Sequence, residues 1–227
     1  MKVAVIQHEL RAHERMDLAA LLSLAEEASD EGASVIVCPG LPGLGRDTRI
    51  YQAFIENMRN HAPGSLVVMP AVAGSRSEEP QAFLTPLGRT VALLGDECVE
   101  PAVLELVAGL GVEAMVWQPE AESSLQAEAF LELALDASLS LAGLVLVTAL
   151  AGRARGTAGF GGSAIVHLGD ILAEAGEGEA VVTAQIEAPV PLPGRPGPRP
   201  VPPPILAQRL AHHLGRRAPV DYPADLS

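Results

Sequence analysis

What most constrains this chain is its opening order: a short β-branched strand, an amphipathic helix, then a second apolar strand. Lys2–Gln7 reads as a buried strand. Between Met16 and Glu31, apolar residues at Leu18, Leu21, Leu22, Leu24, Ala25 and Ala28 recur at helical spacing, with acids on the opposite face. Gly32 ends that helix, because glycine readily adopts the left-handed conformation of a helix terminus. Val35–Cys38 is the second strand, stopped by Pro39. Strand, helix and strand in this order form a right-handed parallel unit. The carboxyl ends of such strands carry the loops that face a ligand crevice.

The same alternation continues. Tyr51–Asn60 is expected to be helical and Leu66–Met69 to be a strand. Ala82–Thr85 and Thr90–Leu94 flank the turn-forming Pro86-Leu87-Gly88-Arg89, which predicts a hairpin. Pro101 suits the first turn of a helix running to about Leu110. Val112–Trp117 follows as a strand, Ser123–Leu141 as a helix and Leu144–Thr148 as a strand. Ser163–Val166 and Ile171–Ala173 form a hairpin around Gly169-Asp170, and Val181–Ile186 is the last strand. Gly159 to Gly162 lacks the following helix that a phosphate loop needs, so it reads as a hairpin entry. Helices alternating with apolar strands and some hairpins imply an α/β protein with mixed sheets.

Composition narrows the function classes. Aromatics are 3 % of the chain, so Ala, Val, Leu and Ile must build the core. A net charge of −13 repels nucleic acid and anionic membranes, leaving proteins or small molecules as partners. The longest apolar stretch, Leu139–Gly152, falls short of the roughly 20 residues that span a bilayer. The apolar run after Met1 is too short for a secretory signal, and a cytoplasmic protein is expected. Cys38 and Cys98 are too few for a disulfide framework or a Cys-rich zinc site.

After Ile186 the composition changes, and prolines make up more than half of Pro189–Pro204. Such a run favours an extended polyproline conformation and separates a body, residues 1–187, from an arm, residues 188–227. Within the arm, Ile205–Leu214 has helical spacing and is followed by Arg216 and Arg217. The arm is read as a spacer that docks its short helix on the body or on a partner subunit. Alternatively, Arg195-Pro196-Gly197-Pro198-Arg199 is the centre of a ligand for a Pro-binding protein module.

Four segments together resemble the nitrilase (carbon–nitrogen hydrolase) superfamily. They are Met1–Gln7 with Glu27–Pro39, Phe83–Arg89, Pro101–Trp117, and Phe160–Val166 continuing through Gly169 and Ile171–Ala173 to Ala184–Glu187. The resemblance implies a four-layer α-β-β-α sandwich with two mixed sheets, and a homodimer paired through pocket-side helices. It also implies a glutamate base, a lysine that steadies the tetrahedral intermediate and a cysteine nucleophile. All three are needed to take the thiol proton and to hold the oxyanion.

Carried over position by position, the glutamate is matched by Gly40 and the cysteine by Gly95. The segment that holds the lysine is absent, and Lys2 is the only lysine in the chain. Ser140 stands at the place of a second glutamate used by many members. Glycine has no side chain for acid–base or nucleophilic work. The expected function is therefore non-catalytic: a nitrilase-like binding, scaffold or regulatory protein without cofactor or metal.

Two alternatives remain on the residues around Gly95. A divergent amide hydrolase would use Cys98, or water activated by Asp96, Glu97 and Glu100, although neighbouring acids should raise the thiol pKa. A cation-binding protein would use the same three carboxylates, which also suit the positive end of a helix. Cys38 reads as core. His8, His13, His61 and His167 show no ligand spacing, and His212-His213 are neighbours on an expected exposed helix.

Overall fold

The computed structural model describes residues 1–42, 48–70, 80, 82–95, 100–141 and 143–187. The opening unit is as its pattern demands: β1 (Lys2–Glu9), α1 (Glu14–Asp30) and β2 (Val35–Val37), with β1 and β2 parallel. Glu31 caps α1, and Gly32 follows at φ 85 to turn the chain into β2. Next come α2 (Thr48–His61), β3 (Leu66–Val68), β4 (Ala82–Thr85), β5 (Gly88–Leu94), α3 (Pro101–Gly109) and β6 (Ala114–Gln118). The last elements are α4 (Ser124–Ser140), β7 (Leu144–Val147), β8 (Leu150–Ala154), β9 (Thr157–Phe160), β10 (Ala164–His167), β11 (Asp170–Glu174) and β12 (Ala180–Gln185).

The strands form two six-stranded mixed sheets. The first runs β3-β2-β1-β8-β9, with β12 antiparallel to β1 along residues 2–7 and β8 parallel to its end at His8 and Glu9. The second runs β11-β10-β7-β6-β5-β4, with β5, β6 and β7 parallel. Alternation along each strand sorts side chains into three apolar layers. Ala4, Ile6 and Ile36 face Leu21, Ala25, Phe54 and Met58 of α1 and α2. Val3, Val5, Val35 and Val37 meet Ala114, Val116, Leu146 and Ile165 between the sheets. Val91, Met115, Trp117 and Val145 pack under α3 and α4, where Trp117 meets Phe130 edge-on at 5.2 Å. This is a four-layer α-β-β-α sandwich. Alanines such as Ala25, Ala28, Ala134 and Ala137 let the helices sit close to sheets that carry few aromatics.

The β8–β9 hairpin lies where the sequence reading placed only a hairpin entry. Its Leu-Ala-Gly-Arg-Ala and Thr-Ala-Gly-Phe strands have low β-propensity, so pattern alone does not mark them. Gly159 is required there: a Cβ would stand 2.2 Å from the Leu150 carbonyl oxygen. The two-residue turn Arg155-Gly156 has φ 51 and 78, the left-handed pair that tight hairpins need. No described helix is long and apolar enough to cross a membrane. The arm, including the expected helix 205–214, lies outside the described residues.

Candidate functional site

The parallel strands β1, β2, β5, β6 and β7 end at one pole, where crevices of open α/β sheets are built. Gly40 follows β2, and Gly95 follows β5; both are buried. Adjacent residues of β6 hold them. Gln118 reaches across to the first sheet, where its Oε1 accepts the Gly40 N–H at 2.6 Å and its Nε2 donates to the Gly40 carbonyl at 2.9 Å. On the other face of β6, Trp117 Nε1 donates to the Gly95 carbonyl at 2.9 Å. Gly95 sits at φ 67, a conformation that side-chain-bearing residues rarely adopt, and the Glu120 carboxylate is 3.7 Å from where its Cβ would be.

The other polar groups at this end of the strands are occupied in holding the fold. Gln7 Nε2 donates to the carbonyls of Gly176 and Gly178, and its Oε1 accepts the Ser163 N–H. Thr148 donates to the Ile6 carbonyl, and the Ser163 hydroxyl accepts the Ala149 N–H. Each of these side chains is buried, where an unmade hydrogen bond would be costly.

Of the residues singled out near Gly95, Glu100 is exposed at the N-cap of α3 and makes no side-chain cap bond. Asp96, Glu97 and Cys98 lie outside the described residues. Among the described residues no group of three His, Cys, Asp or Glu side chains is placed to hold a metal ion. Cys38 is fully buried, and burial pushes its thiol pKa far above the ordinary value, so it stays protonated. Lys2 is at the opposite pole, its Nζ 2.8 Å from Glu31 Oε2. It is one residue before the Val3–Val35 pair, so about 20 Å of strand separates it from Gly40. Ser140, matched above to a second glutamate, must be corrected: it ends α4 just before β7 begins, at the far pole from Gly95.

A second polar cluster lies under α1. His8 Nε2 and Asp17 Oδ1, both fully buried, are hydrogen-bonded at 2.8 Å. Asp17 also accepts from the Arg11 N–H and from Arg155 at the tip of the β8–β9 hairpin. Arg11 donates to both oxygens of Glu179, whose Oε2 is 3.2 Å from His8 Nδ1 but out of line for a hydrogen bond. Burial by itself raises the Asp17 pKa. The hydrogen bonds from His8, the Arg11 amide and Arg155, with the electrostatic pull of His8, outweigh that and hold it below its ordinary value. Sequence reasoning missed Gln118, Glu120 and this cluster. Alternation along β1 (Ala4, Ile6, His8) was the available signal, since it aims His8 into the core, where an imidazole needs a partner.

No protein-family model and no curated protein matches the sequence. Solved structures do. An amidase from Nesterenkonia sp. AN1 superposes with a TM-score of 0.68 at 15 % identity, covering 82 % of this chain and 93 % of that one. A glutamate-to-glutamine form of that amidase, with acrylamide added at its active-site cysteine, gives 0.68 at 16 %, covering 83 % and 94 %. A cysteine-to-serine form, described as a nitrilase-superfamily amidase, gives 0.68 at 16 %, covering 83 % and 92 %. The chain thus has the fold of nitrilase-superfamily amidases.

Proposed function

We propose that this chain is a nitrilase-like protein that has kept the sandwich and given up the glutamate–lysine–cysteine reaction, acting as a binding, scaffold or regulatory protein. The observation that carries this reading is at Gly40. Where the resemblance calls for a general base, there is no side chain, and Gln118 engages both backbone groups. The single lysine is engaged with Glu31 at the far pole, away from Gly95. Two glycines and a distant lysine cannot deprotonate a thiol, attack a carbonyl and hold the charge that results.

The second reading, a divergent amide hydrolase, is favoured by the amidase structures the fold matches and by Glu100 and Glu120 near the end of β5. It would use Cys98 or a water activated by Asp96, Glu97 and Glu100. Incubation with fluoroacetamide, read by intact mass and peptide mapping, separates the two. The non-catalytic reading expects no rapid, saturable adduct. Such an adduct at Cys98, abolished in Cys98→Ala, would overturn it.

A further inference from the structure

The loop between β11 and β12, residues 175–179, stands at the pole of Gly40 and Gly95, because β12 runs antiparallel to β1 and begins beside Gln7. It is held from both faces of β1. On the face between the sheets, Gln7 follows Val3 and Val5, and its Nε2 donates to the Gly176 and Gly178 carbonyls. On the helix face, His8 follows Ala4 and Ile6, and the loop is tied down there through Glu179, which accepts from Arg11. Gln7 also carries the loop's position onward: its Oε1 accepts the Ser163 N–H, and the Ser163 hydroxyl accepts the Ala149 N–H.

His8 is fully buried between two carboxylates. Its Nε2 is hydrogen-bonded to Asp17, whereas its Nδ1 lies 3.2 Å from Glu179 Oε2 with no hydrogen bond. A neutral imidazole has one N–H and one lone pair, and only the imidazolium donates from both nitrogens. With Nε2–H given to Asp17, the neutral ring turns its Nδ1 lone pair toward a carboxylate oxygen, and the two repel. The protonated ring places a charge-assisted donor at the same spot. The charged groups around the ring are Asp17 of α1, Glu179 of the loop, and the two arginines that pair with them, Arg155 of the β8–β9 turn and Arg11 of the β1–α1 connection. Asp17 accepts from His8, the Arg11 N–H and Arg155, so it stays anchored in either state. Among the described residues Glu179 is otherwise held by the Arg11 side chain alone, and it is partly exposed. Glu179 is therefore the partner free to move, and the side from which a solvent proton reaches Nδ1.

We propose that His8 is a proton-operated latch on the 175–179 loop. Protonated, it binds Glu179 through Nδ1–H and pins the loop; neutral, it keeps Asp17, repels Glu179 and loosens the loop at the crevice pole. Hydrogen exchange of the full chain tests this at about pH 5.5 and about pH 8.5, on either side of the ordinary histidine value. Protection is expressed relative to an unstructured peptide at the same pH. The Ala175 amide, which donates to the Ser163 carbonyl, and the first amides of β12 should lose protection at the higher pH. The loss should be at least about fivefold, as for one charge-assisted hydrogen bond, while β6 keeps its protection. Glu179→Gln should abolish the loss, because its amide donates to the neutral Nδ1 and accepts from the protonated one. His8→Gln should abolish it too, since an amide does not titrate. Equal protection of the wild-type loop at both pH values overturns the proposal. So does a loss shared by β6, or one that persists in either variant.

Discussion

Asp17→Ala is the substitution whose cost the structure defines best. Asp17 is fully buried and is the shared acceptor for His8, the Arg11 N–H and Arg155. Its removal leaves His8 buried with only a misaligned Glu179 beside it, and frees the tip of the β8–β9 hairpin. Breaking a buried charged network by deleting one partner costs about 3–5 kcal/mol. Against a total stability of about 5–15 kcal/mol, that is a large share. For a body of this size each kcal/mol moves Tm by about 2–4 °C, so a fall of about 6–20 °C is expected. Urea and thermal unfolding followed by circular dichroism read both quantities. The pH dependence has a definite sign. Because the folded pKa of Asp17 lies below its unfolded value, its contribution is complete above that unfolded value, near 4, and disappears as pH falls through the folded one. The gap between wild type and Asp17→Ala should therefore narrow only below about pH 4. A loss under about 1 kcal/mol at pH 7, or a gap independent of pH, would refute the network account.

Gln118→Leu leaves the Gly40 N–H and C=O buried without partners and should cost about 2–4 kcal/mol in urea unfolding. Gly95→Cys forces a side chain onto φ 67 and should cost about 1–2 kcal/mol; the proposed reading expects it to yield no amidase activity, because Gly40 offers no side chain as base. Cys38 should react with an aromatic disulfide reagent only after unfolding, because its thiol is buried and protonated; peptide mapping of the native reaction checks this.

Much of the fold could be read from residue patterns. The alternation Val3/Val5 against Ala4/Ile6 encodes two layers at once, and Gly32 and Pro101 mark helix ends that the structure keeps. The β8–β9 hairpin was not legible, because glycine, alanine and arginine strands are specified by tertiary fit, with Gly159 against Leu150 and Arg155 against Asp17. The site divides in the same way. Glycines at 40 and 95 are visible once a family pattern is laid over the chain. Gln118 is 78 residues from the glycine it holds, and His8 meets Glu179 across more than twice that separation. No local spacing encodes contacts of that kind. The Ser140 match failed because helix position along the sequence says nothing of which pole a residue occupies until the strand directions are known.

The central claim is that the amidase sandwich persists here without amide hydrolysis. Ammonia release from a panel of aliphatic amides, nitriles and N-carbamoyl compounds tests it most directly, with the full chain and Cys98→Ala measured side by side. The account predicts that both proteins stay at the rate of the protein-free blank with every compound. Turnover by the full chain that Cys98→Ala abolishes would contradict it and make Cys98 the nucleophile.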